Sequence, residues 1–519
     1  MTKSQVPVPL TGGSLHISAE TDLNFHIYVG GPTLVNSVSG LESGETLRLV
    51  FEQGSGGNQP VTFGGNFNQK PATNMEPYSI SVLEFYASHP NWMQATQGTM
   101  AYSSQAPVPP IPAPPPAPAP APAPTTPPIP AGPNHPFGAG GTHYAAGILP
   151  SNLPAINAAT KAQYNRWKSE LRTGLNGRYP RFQYSNRVVS EGIGYGMLIA
   201  VVMAGYDPEA QVLFDDIYNV AWTHPAKNTA QPTHGMEEQY LMNWRVEEGV
   251  NPDVSAGGWN ALDGDMDIAM ALLMADKQWG STGANGRFDY LAVALQTIDA
   301  MKRRNFSPTG VSWGMNHPHE SRMSGQASGH FRAFFEATED SFWQMAYEKG
   351  LANLIHCQTV HAPNTGLIPD FLEQTNTSSP VPSRDGWGDP GNPPGIFFWN
   401  SCRVPLRLAA CQVLDPDTRV KTVLTKLMDF LVADTRGLLQ NVAEGYHLDG
   451  RHYGADNIYW NPASFVATAA CGAMVDAKYQ TALDAVAAYI VQHPSTVYYD
   501  TELELLSLFV LGGNWWSPA

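Results

Sequence analysis

A run of proline between residues 107 and 136, PVPPIPAPPPAPAPAPAPTTPPIPAGPNHP, constrains this chain more than any other feature: 16 of its 30 positions are Pro. Proline has no backbone N–H and a fixed φ, so the segment can join neither a helix interior nor a central strand. It predicts a stiff polyproline II spacer, about 90 Å long if fully extended at about 3.1 Å per residue. The alternating Ala-Pro pattern suits a spacer better than a short peptide ligand. The chain is therefore expected to be multidomain. A small all-β N-terminal domain occupies 1–103, a Pro/Ala-rich linker 104–139, and an all-α domain 140–519.

With 519 residues, 43% of them hydrophobic, the protein has ample material for a large core. The 45 acidic residues against 29 basic ones give a formal charge of −16, which argues against a nucleic-acid backbone or an anionic membrane as partner. No apolar run approaches the roughly 20 residues needed to span a bilayer. The N-terminus, MTKSQVPVPLTGG, has no apolar signal-peptide core, so a secretion signal is not expected in this chain. Cys357, Cys402, Cys411 and Cys471 show neither CxxC nor CxxH spacing. They read as buried thiols, and no metal or cofactor is expected.

In the first module SLHISAE, NFHIYVG, TLRLVFEQ, VTFGGNF and SISVLEFYAS alternate apolar and polar residues between Gly, Asn, Pro and Ser. That pattern predicts a small sandwich or barrel. LRLVFEQGSGGNQPVTFGGNF and SVLEFYASHPNWM resemble a repeat unit of phage tail-fibre and tail-spike proteins. The other reading is a β accessory module that binds carbohydrate through exposed aromatics such as Trp92.

The second module carries apolar residues at helical spacing in twelve segments, near 157–173, 190–204, 208–222, 265–279, 287–303, 328–338, 340–359, 401–413, 416–433, 462–474, 476–492 and 498–511. Twelve helices with long loops between alternate members predict six helical hairpins in a ring, an (α/α)6 barrel. The loops near 223–262, 304–327, 360–399 and 436–461 exceed what a compact bundle requires, and such loops are where sites are built.

Two segments carry the chemistry. In SNRVVSEGIGYGMLIAV, Ser190 reads as a helix N-cap, with Glu191 in the first turn and Gly192, Gly194 and Gly196 following. A carboxylate there could simply complement the helix dipole. The glycines, however, leave room for close backbone or ligand approach. A partly buried Glu191 beside Tyr195 could have its pKa raised and serve as a general acid. In GGWNALDGDMDIAMALLMADKQWG, Asp263, Asp265 and Asp267 crowd a helix start in an order that is not a calcium loop, and they exceed what capping needs.

These two segments, with WNSCRVPLR (399–407) and YYDTELELLSLFVLGGNWW (498–516), resemble the ordered motifs of glycoside hydrolase family 8, Leu262 standing where Ser or Thr is usual. The resemblance implies an (α/α)6 barrel and inverting hydrolysis of a β-1,4-linked polysaccharide: cellulose, mixed-linkage β-glucan, chitosan or xylan. It implies Glu191 as general acid and Asp263 as the carboxylate at the centre of the cleft. Arg403 falls on a cleft arginine, and Tyr498 lies in a region of cleft aromatics. Many members carry the base at the position of Asn400, and an amide cannot activate water. In a second subgroup with Asn there, an upstream inserted loop supplies the base. Here that loop offers Asp389, then Asp385, then Glu373, in order of distance from Asn400; all three could instead be surface carboxylates.

Trp244, Trp259 and Trp399 adjoin the matched motifs and are expected to form sugar platforms. Trp167, Trp343, Trp515 and Trp516 lie in or near helices and are expected to pack. Three functions follow as expectations. The first is an endo-acting β-1,4-polysaccharide hydrolase, with β-glucan favoured over chitosan. The second is a virion-associated depolymerase of bacterial exopolysaccharide. The third is an inactive glycan-binding structural protein, suggested by Asn400. The enzyme would act outside the cell, secreted or carried on a virion, with the first module as a contact to a virion or cell-surface structure.

Overall fold

The computed structural model describes residues 133–138, 144–182, 185–227, 238–250, 258–281, 287–313, 320–326, 328–384, 393–453 and 462–518, and the backbone of nine strands between Val6 and Tyr102. The chain divides into two compact units, Met1–Pro124 and Thr125–Ala519.

In the first unit the strands pair into a six-stranded and a three-stranded sheet. Thr46–Gln53 runs parallel to Asn24–Val29 on one side and antiparallel to Ile80–His89 on the other. Trp92 opens the strand Trp92–Ala95; its side chain lies outside the described residues.

The second unit contains twelve α-helices among the described residues: α1 (Leu153–Glu170), α2 (Ser190–Val202), α3 (Ala210–Thr223), α4 (Leu262–Trp279), α5 (Tyr290–Asn305), α6 (Gly329–Thr338), α7 (Phe342–Val360), α8 (Val404–Leu414), α9 (Thr418–Asp434), α10 (Ala463–Ala473), α11 (Gln480–Gln492) and α12 (Tyr498–Leu511). Each overlaps one of the twelve segments with helical spacing. The even-numbered helices pack in the order α2, α4, α6, α8, α10, α12 and back to α2, which closes a ring. The odd-numbered helices lie outside it, α3 on α2, α5 on α4, α7 on α6, α9 on α8 and α10, α11 on α10, and α1 on α12.

The sequence dictates which helix goes where. SEGIGYGMLIAVV (α2) and ASFVATAACGA (α10) have almost no polar face and are buried nearly all round. A helix of that kind has no stable place except inside a core. TRVKTVLTKLMDFLVAD (α9) buries only Val420, Val423, Leu424, Leu427, Met428 and Leu431, one stripe, and faces solvent with the rest. Trp167, Trp343, Trp515 and Trp516 are core residues, and all four cysteines are buried and free. No helix among the described residues is long and apolar enough to cross a membrane.

Two loops meet in a small sheet beside the ring. Its strands are Ser321–Arg322, Phe371–Glu373 and Val381–Pro382, with Arg322 opposite Phe371. A second pairing, Arg187–Val189 with Arg245–Glu247, leads directly into α2.

Candidate active site

Glu191 and Asp263 stand in the first turns of α2 and α4, neighbours in the ring. Their helices approach closely where Gly194 and Gly264 contribute no side chain. A Cβ on Gly194 would lie 2.5 Å from the Asp267 Cβ and 3.0 Å from the Gly264 carbonyl oxygen, and one on Gly264 would run into Ser190. Gly192 makes room for Tyr498, whose hydroxyl lies 2.5 Å from where a Cβ would sit. Three glycines in a helix cost roughly 1 kcal/mol each against Ala. Only Gly194 exchanges that cost for a close approach to α4; Gly192 faces Tyr498, and Gly196 faces Ile217 and Trp167. Ser190 is not the N-cap: it is the first helical residue, Val189 precedes it in extended conformation, and no side chain caps the helix. The Ser190 N–H is satisfied by the Trp244 carbonyl at 2.8 Å, while its side chain packs on Gly264.

Arg403 joins the two acids. It sits in the turn Ser401–Arg403 before α8 with a buried guanidinium. Its Nη1 donates to Glu191 Oε2, to Asp263 Oδ2 at 3.0 Å and to the Tyr195 hydroxyl at 3.3 Å. Nη2 donates to Asn400 Oδ1 at 2.8 Å. Asn400 is in turn held by Asp370, a buried carboxylate that accepts from the N–H groups of Phe398, Asn400 and Ser401, the Asn400 amide and the Ser401 hydroxyl. From the other wall Arg322 places Nη1 on the same Asp263 Oδ2.

The two acids therefore differ in charge. Burial pushes the Glu191 carboxyl up to about 7; the Asp263 charge adds to this, and Arg403 and Arg322 oppose it. For Asp263 burial also acts upward, but Arg322 and Arg403 outweigh it and hold the carboxyl well below its usual range. The other two aspartates of α4 face elsewhere. Asp265 accepts from the Met242 N–H and the Asn260 amide, each at 2.9 Å, and burial raises it to about 8. Asp267 is paired with Arg407 and lies 2.8 Å from His330 Nε2. Only Asp263 of the three pairs with Arg403 and Arg322.

The remaining expected site residues are placed as follows. Tyr195 is fully buried behind Arg403, with the Arg407 guanidinium 5.8 Å from its ring centroid, so it supports the arginine and does not face a sugar. Trp244, Trp259 and Trp399 are half-buried. The Trp244 N–H donates to the Trp259 carbonyl at 2.6 Å, tying both to the start of α2. Trp399 donates through Nε1 to Glu444 at 2.8 Å and packs edge-on against Phe465 and Tyr499. Tyr498 packs at a tilt against Phe182, with ring centroids 5.6 Å apart, and its buried hydroxyl has no hydrogen-bond partner among the described residues. Glu373 accepts from the Ser383 hydroxyl at 3.0 Å and the Arg384 N–H at 2.7 Å. Asp385 and Asp389 lie outside the described residues. Arg322 and Asp370 carry no motif that reading the sequence alone would catch. Among the described residues no group of His, Cys, Asp or Glu side chains is placed to hold a metal ion.

Chemically, the arrangement offers one carboxyl that is neutral below about pH 7 beside one that stays ionised, both on a common guanidinium.

The family model described as "Glycosyl hydrolases family 8" matches residues 142–513. A β-glucanase of Niallia circulans is 31% identical over 75% of this chain and 92% of its own length. An endoglucanase of Bacillus sp. (strain KSM-330) is 30% identical over 72% of this chain and 80% of its own. Among solved structures, the apo β-1,3-1,4-glucanase from Paenibacillus sp. X4 superposes with a TM-score of 0.67 at 30% identity, covering 74% of this chain and all of that one. Rex8A from Paenibacillus barcinonensis, at 18% identity and a TM-score of 0.56 over 72% of this chain and 98% of that one, shares the fold.

Proposed function

The chain belongs to glycosyl hydrolases family 8 and is a glycoside hydrolase, and from that premise we propose that it is an endo-acting, inverting hydrolase of β-1,4-linked glucan. The observation that carries the reading is the pair of unlike carboxyls on Arg403, Glu191 neutral and Asp263 ionised. Glu191 donates its proton to the glycosidic oxygen as the bond to the anomeric carbon breaks. Asp263 stabilises the positive charge that develops on the sugar ring. Two guanidiniums make Asp263 a poor base, so another carboxylate must take the proton from the attacking water. Asn400, held by Asp370 and Arg403, cannot do so. The upstream insertion supplies the base, Asp389 first, then Asp385, then Glu373. Trp244, Trp259 and Trp399 serve as platforms for pyranose faces.

The names of the relatives, β-glucanase and endoglucanase, favour glucan over chitosan and xylan. Release of reducing ends from barley β-glucan and carboxymethylcellulose, against chitosan and xylan, tests the substrate. Proton NMR at early times tests the stereochemistry: an α-anomer as first product supports inversion, and a β-anomer overturns it. Absence of turnover on all four polymers would favour an inactive glycan-binding protein. A second reading, a virion-associated depolymerase of bacterial exopolysaccharide, is favoured by the tail-fibre-like stretches of the first module. Immunodetection on purified virions tests it.

A further inference from the structure

Asp263 is held from one side only. Arg403 and Arg322 both bind its Oδ2, and its Oδ1 has no hydrogen-bond or ion-pair partner among the described residues. Arg403 comes from the family motif, but Arg322 comes from a different loop and reaches Asp263 from the Ser321–Arg322 strand. That strand pairs with Phe371–Glu373, adjacent to Asp370, the carboxylate that fixes Asn400. The Arg322 guanidinium lies 5.4 Å from the Phe371 ring centroid, which holds its plane against the sheet. A small cavity opens beside the pair, lined among others by Asp263, Arg322, Trp313 and Phe371. Two buried donors at this cavity, Arg322 Nε and Trp313 Nε1, have no hydrogen-bond partner among the described residues.

We infer that Arg322 is a positioning residue: with Arg403 it clamps Asp263 Oδ2 so that Oδ1 alone is presented to the substrate, as an acceptor fixed in place and in charge. The inference rests on the reading of Asp263 as the central cleft carboxylate. A single guanidinium would let the carboxylate rotate about χ2 and share either oxygen. Two guanidiniums on one oxygen remove that freedom. They also outweigh burial, which favours a neutral Asp263; the acidic neighbours are Glu191 on α2 and Asp265 on the same helix, both themselves raised, and the Tyr498 phenol on α12 is held neutral.

The test compares Arg322→Ala, Arg322→Lys and Asp263→Asn on β-glucan as full-length proteins, after melting curves confirm folding. Arg322→Ala is expected to lower kcat by at least about tenfold and to move the acid limb of its pH profile upward by about one unit or more, the scale of losing one opposite charge at close range. Added guanidinium should restore part of the rate. Arg322→Lys keeps the charge, so its acid limb should stay near that of the wild type while kcat falls less than in the Ala variant. A normal rate and acid limb in Arg322→Ala would overturn the inference. So would equal losses in both variants with the limb unmoved, because that result means a structural role only. Asp263→Asn separates the levels: if it turns over normally, the assignment of Asp263 itself fails, whatever Arg322 does.

Discussion

The first turns of α2 and α4 look alike in sequence and behave oppositely. Each follows an extended residue without a side-chain cap, each carries a carboxylate as its second residue, and each has a glycine directly after that carboxylate. Both carboxylates are withdrawn from water and both contact Arg403. Glu191 has that one guanidinium and is pushed up to about 7, whereas Asp263 has a second one and is held low. Burial is common to the two and so cannot distinguish them. What separates them is direct contact: Arg322, from a loop distant in sequence, pairs with Asp263 and acts on Glu191 only from farther away.

The largest effect expected is on the acid itself. Glu191→Gln keeps the size and the Arg403 contact but has no proton to give, so hydrolysis of β-glucan should fall by about 10²–10⁴ while the melting temperature stays close to that of the parent. Near-normal turnover would remove Glu191 from the role and dissolve the comparison.

The base comes next. Asp389→Asn should abolish most activity, Asp385→Asn less, and Glu373→Gln least. Azide should rescue the true base variant by attacking the anomeric carbon from the vacated position. Wild-type rates in all three would move water activation to another carboxylate of the cleft.

Asp263→Asn sharpens the contrast from the other side. Loss of the stabilising charge should cost about 10²–10³ in kcat. The Asp263 charge also helps raise Glu191, so its removal should shift the basic limb of the surviving activity to lower pH. An unmoved limb would show that the two carboxyls do not sense each other.

In the wild type the sign is direct. Below about pH 7 Glu191 is protonated and able to donate; above it the proton is lost. Activity should therefore fall as pH rises through about 7. The smallest effect belongs to the helix crossing. Gly194→Ala brings a methyl to within 2.5 Å of the Asp267 Cβ, and overpacking of this kind costs about 1–3 kcal/mol, partly offset by roughly 1 kcal/mol of helix propensity. A lowered melting temperature with a modest rate loss is expected; an unchanged melt would mean that α2 and α4 are not in obligatory contact.

Much of the helical unit is legible in the sequence because periodicity reports burial directly. The final segment, 498–511, coincides with α12. The first, near 157–173, begins late: α1 starts at Leu153, since Asn152 caps it by accepting the Ala155 N–H and Pro154 suits its first turn. That cap is a local signal and was readable. Glu191 is legible as a candidate too, since a carboxylate followed by spaced glycines is an uneconomical helix start without a reason in space. Arg322 and Asp370 were not, because each acts across the fold on a residue more than twenty positions away, and nothing around either one is periodic. Tyr195 shows the opposite error: it lies inside a motif, and proximity in sequence to Glu191 suggested the cleft when the helix turns it into the core.

The glycine contact between α2 and α4 also bears on how such an enzyme can change over time. Because Gly194 and Gly264 leave no room for a side chain there, the interval between Glu191 and Asp263 is set by the scaffold and resists ordinary side-chain replacement. The loops that bring Arg322, Trp244, Trp259 and Trp399 are under no such restriction. Substitutions in them can retune what is bound, and even how strongly Asp263 is charged, without disturbing the interval. Diversification of substrate is thereby channelled to the rim, while the reacting centre is passed on intact.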